Sequence, residues 1–218
     1  SRAGVYSSED FQRQKEEIYN RTKENFNYLE GICIKHGLEL AVENAPPIEV
    51  KHNHLGLSGL HYHLLPFNEL FSLIDITNGK IVLDVAHLAI SNHTPEQMDR
   101  NKSANGQQAL FRMMGISNWD EYRMAIGNLV QYLPLTRALH VSQASGLGFN
   151  LPEGSENDMW GGQGTGNGLL KKEDFHSFFK FAQENKLPVS IEQVYDTRNL
   201  TYIEADEFLE PIFAEYNK

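Results

Sequence analysis

The sequence predicts an α/β fold built around a parallel β-sheet. Long amphipathic helices alternate with short apolar strands along the chain, which is the pattern of successive βαβ units. Right-handed crossovers between such strands place the helices outside the sheet. An open doubly wound sheet and a closed (β/α) barrel both satisfy this pattern.

The composition indicates a globular chain with a substantial core. Its 218 residues, 40 % of them hydrophobic, fit one domain, which we take to span residues 1–218. A net charge of −10 disfavours non-specific binding of nucleic acid. One cysteine, Cys33, excludes an intrachain disulfide and fits a reducing compartment such as the cytoplasm. No run of apolar residues has the length of a membrane-spanning helix and no signal-peptide pattern is visible, so we expect neither feature.

The first predicted helix runs from Ser8 to His36, and Ser7 or Ser8 can cap it. Apolar and small residues at steps of three, four and seven predict one buried stripe. The members of this stripe are Phe11, Ile18, Thr22, Phe26, Leu29 and Cys33. Gly37 is placed to end the helix in a left-handed conformation, and a strand follows over 38–43.

The remaining elements alternate in the same way. The predicted helices are 66–76, 118–132 with Ser117 as its cap, 173–184 and 205–216, and the predicted strands are 81–85, 137–141 and 189–192. A glycine-rich loop is predicted over 146–168. Two H-x-H pairs, in 52–54 and 61–63, fall outside any predicted strand, which favours a surface loop or a substrate lid over a metal site.

The four strands share one alternation of side chains. In each strand, large residues face one side, and a smaller residue followed by an acid or an imidazole faces the other. These pairs are Ala41 and Glu43, Val82 and Asp84, Ala138 and His140, and Ser190 and Glu192. Because the carboxyl ends of parallel strands meet at one edge, we expect the four titratable side chains to converge there.

Three carboxylates and one imidazole favour a bound cation. An ionised carboxylate is costly to bury without a counter-charge. An oxygen-rich donor set with one nitrogen suits a single divalent ion of Mn²⁺, Mg²⁺ or Co²⁺, and Zn²⁺ is also compatible. The alternative is that these strand-end residues form salt bridges and cap helices.

The strand ends resemble a known family. Segments 40–44, 82–87, 138–141 and 189–192 are similar to the last four strands of the xylose-isomerase-like superfamily, which includes sugar epimerases and isomerases, inosose dehydratases and endonuclease IV. In that family E-N ends one strand, D-x-x-H the next, and a His and a Glu the last two, and all match here in order. The resemblance implies a (β/α) TIM barrel of which this chain covers about the C-terminal half. The other strands would then belong to a longer polypeptide or to a second chain that completes the barrel. The alternative is an open, reduced sheet without them.

The resemblance also implies the roles of particular residues. The metal ligands would be Glu43, Asp84, His140 and Glu192, and Glu43 and Glu192 would also transfer protons. Substrate contacts are assigned to His87, Asn44, Gln143, Asp158 and Trp160. For His87 the resemblance also implies a histidine that binds a second metal ion, and a core position is the alternative to both. On this assignment, His140→Ala weakens metal binding, whereas His87→Ala mainly lowers turnover.

The implied activity is a metal-dependent isomerase or epimerase that moves a proton next to a carbonyl of a sugar or polyol. An inosose-type dehydratase, a phosphoesterase of the endonuclease IV type and a non-catalytic barrel are the alternatives. Endonuclease IV has D-x-H where this chain has Asp158, Met159 and Trp160. The indole N–H of Trp160 is only a donor, so it cannot bind the metal ion that the histidine of that motif binds. Gln143 also replaces an acid often found there. We therefore expect a small-molecule substrate, with neither nucleic acid nor a membrane as partner, and a homo-oligomer or a second chain completing the barrel.

Overall fold

A computed structural model describes residues 8–44, 47–50, 59–62, 74, 79–100, 104–142, 169–191, 195–196, 201–202 and 214. Within these ranges the chain is α/β, as the sequence predicts. A four-stranded parallel sheet carries helices, and two short antiparallel strand pairs accompany it. No helix in the described ranges has both the length and the apolar character that crossing a bilayer requires.

The elements follow one another in a simple order. They are α1 (Ser8–Lys35), β1 (Ala41–Glu43), β2 (Pro47–Val50), β3 (Gly59–Tyr62), β4 (Lys80–Asp84), α2 (Val85–Arg100), α3 (Ala104–Met114), α4 (Trp119–Gly127), a 3-10 helix (Asn128–Leu135), β5 (Thr136–Val141), α5 (Lys172–Asn185), β6 (Val189–Ile191), β7 (Tyr195–Asp196) and β8 (Thr201–Tyr202).

The parallel sheet has the order β1-β4-β5-β6, so its spatial order is the chain order. Among these four strands there is no reversal of the kind that defines a doubly wound sheet. Glu43 lies opposite Val82, and Asp84 lies opposite His140. A bulge near the start of β4 and β5 leaves Arg137 as an extra residue, which resets the register before the strand ends.

The core lies on one face of this sheet. Ile81, Leu83, Leu139 and Val141 are buried there against apolar residues of α2, α3, α4, the 3-10 helix and α5. The opposite face is open by comparison, because Ala138 on it is only half-buried and Ser190 is exposed. The predicted alternation of the strands therefore matches the observed one.

Helix α1 ends where the sequence predicts. Gly37 has a φ of 66°, and the Leu38 N–H donates to the Cys33 carbonyl at 2.8 Å, which closes the last turn. The predicted buried stripe is only partly correct. Phe26 is buried, but Leu29 is 46 % exposed.

Helices α2 and α3 were not expected from the sequence. Helix α2 starts directly at the end of β4 and contains Pro95, which breaks the pattern of a regular helix. Pro95 has no N–H to give to the Ser91 carbonyl one turn earlier. The buried Tyr122 hydroxyl of α4 donates to that carbonyl instead, at 2.8 Å, so a tertiary contact stabilises the helix.

The observed N-terminal cap of α4 differs from the predicted one. Asn118, rather than Ser117, is the cap, because its extended backbone lets its side-chain oxygen accept from the Glu121 N–H at 2.9 Å. The predicted helix 118–132 is α-helical only to Gly127 and continues as the 3-10 helix.

The region after β1 also differs from its prediction. His61 was expected outside any strand, but it lies in β3 opposite Ile48 of β2, because the strand forms by pairing rather than by local pattern. His52, His54 and His63 lie outside the described residues. So do nearly all of the predicted helices 66–76 and 205–216, of which Ile74 and Ala214 are described, both as helical.

Candidate metal centre

Three of the predicted ligands lie at the carboxyl edge of the parallel sheet. Glu43 ends β1, Asp84 ends β4 and His140 is the last residue but one of β5. All three share the face opposite the helical core. The fourth predicted ligand, Glu192, lies outside the described residues, as do Gln143, Asp158 and Trp160, so their roles stay predictions.

Asp84 is buried, its carboxylate is bonded by a backbone N–H, and its own backbone is bonded by a side-chain amide. Its Oδ1 accepts the His87 N–H at 2.7 Å and so caps α2, where the positive end of the helix favours an ionised carboxylate. Its own N–H donates to Asn44 Oδ1 at 2.8 Å, and Asn44 Nδ2 donates to its carbonyl at 3.0 Å. These two hydrogen bonds extend the contact between β1 and β4 beyond the last paired residues, Glu43 and Val82.

Asn44 was predicted to contact substrate. The structure shows it buried, with both ends of its side-chain amide engaged by the backbone of Asp84. What is observed is that Asn44 fixes the backbone of Asp84 at the end of β4. A contact between Asn44 and substrate stays a prediction.

His87 lies closer to the carboxylates than its predicted role requires. Its Nδ1 is 2.8 Å from the Asn44 carbonyl oxygen, 3.3 Å from Glu43 Oε1 and 3.7 Å from Asp84 Oδ2. One ligand atom from each of Glu43, Asp84 and His87 lies within 4.8 Å of the other two. Two atoms that bind one ion at about 2.0–2.4 Å are at most about 4.8 Å apart, so this spacing fits a single ion.

His140 reaches the same cluster through Glu43. Its Nδ1 is 3.2 Å from Glu43 Oε2, while the other oxygen of Glu43 faces His87. Glu43 thus bridges imidazoles from two elements, with the β4 strand end between them. The sequence placed His140 among the ligands and His87 beside the substrate, whereas the structure brings both to Glu43.

The charges of the cluster are coupled. The hydrogen bond with His87, together with the charge of His140, lowers the pKa of Glu43 despite its partial burial. Burial opposes protonation of His87, but the Glu43 hydrogen bond and the Asp84 charge outweigh it and raise the pKa of His87. A proton on His87 thus compensates the two carboxylates. A divalent cation would supply the same compensation more strongly, and carboxylate and imidazole donors are ligands that such ions accept.

A cavity of about 400 Å³ lies elsewhere, on the helical side of the sheet. Leu83, Ile126, Leu129 and Phe178 line it, and no residue of the cluster does. Its apolar walls do not suit a sugar or polyol, whose hydroxyl groups need hydrogen-bonding partners. Although Leu83 directly precedes Asp84, the two side chains point to opposite faces of the sheet, so the cluster remains the candidate site.

The chain matches no protein-family model, no curated protein and no solved structure in the three comparisons with known proteins.

Proposed function

We propose that the chain forms the C-terminal part of a (β/α) barrel that holds one divalent metal ion and isomerises or epimerises a sugar or polyol. The observation that carries this proposal is the convergence of Glu43, Asp84 and His87 at the carboxyl edge of a parallel sheet, with His140 on the same Glu43. Active sites of (β/α) barrels lie at that edge.

The arrangement of the sheet supports the barrel. Its four strands follow chain order, and α2 to α5 contribute to a core on one face only. The other face carries small or moderate side chains, namely Ala41, Val82, Ala138 and Ser190. In a closed barrel these side chains would point into the interior.

The proposed ligands are Glu43, Asp84, His140 and Glu192. Among the described residues, the spacing that fits a single ion is met by Glu43, Asp84 and His87, which adds His87 as a candidate ligand. A divalent ion there would supply Lewis acidity toward two neighbouring oxygens of a hydroxy-ketone. Asp84 is suited to holding rather than to proton transfer, because the α2 N-terminus and Asn44 fix it in place.

Glu43 is suited to accept a proton. Its pKa is lowered, so it is ionised at neutral pH, and it is only partly buried and therefore accessible. It would remove the proton from the carbon beside the carbonyl. Glu192 would return a proton from the opposite side of that carbon, which inverts its configuration.

The distances change the expectation for the two histidines. We expect His87→Ala to lower metal affinity at least as much as His140→Ala does, because the His87 ring lies beside both carboxylates. Its Nδ1 donates to the Asn44 carbonyl, which leaves Nε2 as the atom that would bind an ion. The raised pKa of His87 adds a second signature. The wild type has to release this proton to bind metal, so its affinity falls as the pH drops through the raised pKa of His87.

Titration calorimetry with Mn²⁺ and Co²⁺ from pH 6 to 8 measures both effects. His140→Ala should keep the pH dependence and His87→Ala should lose it. His93→Ala, on the exposed side of α2, is the matched control and should bind metal like the wild type. Normal metal binding by His87→Ala would return His87 to the role of a substrate contact.

The activity is tested with a panel of ketoses and inososes in D₂O with Mn²⁺ or Co²⁺, run beside an abasic-site oligonucleotide. We expect deuterium to enter a carbon next to the carbonyl of at least one sugar, because Glu43 exchanges its proton with solvent between turnovers. Glu43→Gln, which keeps the size of the side chain, should abolish this exchange. Metal-dependent nicking of the oligonucleotide with no sugar turned over would contradict the proposal.

A further inference from the structure

Asn44 is the residue at which three members of the candidate cluster meet. It follows Glu43 directly in the chain, its side-chain amide bonds the backbone of Asp84, and its own carbonyl oxygen lies 2.8 Å from His87 Nδ1. Only 1 % of Asn44 is exposed. Buried polar groups are stable when they are hydrogen-bonded, and the partners observed for this amide and this carbonyl all belong to the cluster. Asn44 is therefore placed to act on several members of the cluster at once.

The side-chain amide of Asn44 takes the place of a strand neighbour for Asp84. The backbones of β1 and β4 pair as far as Glu43 and Val82. Beyond that pair, Asn44 Oδ1 accepts the Asp84 N–H at 2.8 Å, and Asn44 Nδ2 donates to the Asp84 carbonyl at 3.0 Å. A primary amide offers both a donor and an acceptor, as a peptide group does. Asp84 thus keeps the bonding of a strand residue, and the backbone carbonyl of Asn44 can accept from a side chain.

The Asn44 carbonyl determines which ring nitrogen of His87 carries a proton. A carbonyl oxygen only accepts, so its contact of 2.8 Å with Nδ1 requires a proton on that nitrogen. In a neutral imidazole the other nitrogen, Nε2, is then bare and can bind a cation. Histidines that bind metals in proteins usually donate their second ring N–H to a carboxylate or to a backbone carbonyl. The contact therefore selects the tautomer of His87 that presents Nε2.

Glu43 is a second acceptor beside the same nitrogen. Its Oε1 lies 3.3 Å from His87 Nδ1, and its Oε2 lies 3.2 Å from His140 Nδ1. The Asn44 carbonyl is closer to His87 and belongs to the backbone of a buried residue, whereas the Glu43 side chain is 33 % exposed. Glu43 is also a proposed ligand, so its oxygens are shared between an ion and two rings. The Asn44 carbonyl has no such competing role.

We propose that Asn44 is the positioning residue of the metal centre. Its side chain holds the end of β4 that carries the Asp84 carboxylate, and its carbonyl holds His87 in the tautomer that presents Nε2. This role differs from the predicted contact with substrate, because Asn44 acts through two ligands. The inference rests on the metal site of the proposed function and not on its sugar or polyol substrate.

Metal affinity and kinetics distinguish the two roles of Asn44. Asn44→Ala removes both bonds to Asp84 and should lower the affinity for Mn²⁺ or Co²⁺ by about 10–100-fold, the usual cost of losing an outer hydrogen-bonding partner. Titration calorimetry measures this loss. With enough metal to fill the site, a sugar that the wild type turns over should be turned over by the variant with an unchanged KM. A contact with substrate predicts the reverse, namely normal metal affinity and a raised KM.

The tautomer of His87 is measured on the protein without metal. At a pH where the ring is neutral, protonated and bare nitrogens give well-separated ¹⁵N NMR signals, and His87→Ala identifies this ring among the 9 histidines. We expect a proton on Nδ1 in the wild type and a mixture of both tautomers in Asn44→Ala, whose residue 44 carbonyl loses the amide pair that fixes its position. Glu43→Gln should keep the proton on Nδ1, because the Asn44 carbonyl remains in place.

Two further variants control for damage to the fold. Asn118→Ala removes the cap of α4 away from the cluster and should leave both the metal affinity and the His87 tautomer unchanged. Asn44→Asp keeps the size of the side chain and an acceptor for the Asp84 N–H, but it cannot donate to the Asp84 carbonyl. It should show less of the second tautomer than Asn44→Ala does. Circular dichroism checks that each variant keeps its helices.

The outcomes separate this inference from the proposed function. Retention of the Nδ1 proton in Asn44→Ala, or its loss in Glu43→Gln, would mean that Glu43 holds the ring and would overturn the inference. Normal metal affinity in Asn44→Ala would overturn it as well. A wild type that binds no metal would contradict the proposed function, and the ring measurement, which needs no metal, would still decide whether Asn44 holds His87.

Discussion

Replacing Asp84 by asparagine should remove metal binding while the fold survives. Asparagine is as good a helix cap as aspartate, so the bond from the His87 N–H is kept. The negative charge is lost, and we expect the affinity to fall by more than the roughly 10–100-fold that the loss of an outer hydrogen-bonding partner costs. Asp84→Ala should lose both metal binding and the cap of α2. Alanine has no carboxylate to bind the ion and offers no acceptor to the His87 N–H at the start of α2.

These two variants separate the two roles of Asp84. In urea unfolding of the metal-free protein, Asp84→Ala should lower the free energy of unfolding by about 1–2 kcal/mol, and Asp84→Asn should change it much less. Asn118→Ala is the control, since it removes the cap of α4 at a distance from the cluster and should cost a similar amount with normal metal affinity. Unchanged metal affinity in Asp84→Asn would show that this carboxylate does not bind the ion.

The second large effect is expected at Tyr122. Its hydroxyl is buried, and burial raises the pKa of Tyr122, so the group stays protonated and donates to the Ser91 carbonyl at 2.8 Å. Pro95 cannot supply the helical N–H for that carbonyl. Tyr122→Phe should therefore lower the free energy of unfolding by about 1–3 kcal/mol, the cost of leaving a buried acceptor without its donor.

A double-mutant cycle with Pro95→Ala tests this explanation. Alanine at position 95 restores an N–H that can donate to the Ser91 carbonyl, so Tyr122→Phe should cost less in that background. We expect the two changes to deviate from additivity by about 1 kcal/mol or more. Tyr28→Phe, at an exposed position, is the control and should stay within about 0.5 kcal/mol of the wild type. Equal costs of Tyr122→Phe in both backgrounds would mean that Pro95 is not the reason for the contact.

The sequence by itself determined the local features of the chain. The alternation within β1, β4 and β5 separates the helical face from the face that carries Glu43, Asp84 and His140, and this separation is observed. The end of α1 at Gly37 follows from the freedom of glycine at positive φ. Such features depend on neighbours a few residues apart, so a periodic pattern is enough to reveal them.

Only the tertiary structure decided which side chains meet. His87 approaches Glu43 because β1 pairs with β4 in one register and α2 starts directly at Asp84, which joins residues more than 40 positions apart. The same holds for the β2–β3 pairing that contains His61, for the Tyr122 contact that supports α2, and for the exposure of Leu29. These features depend on contacts between distant segments, and no local period in a sequence encodes them.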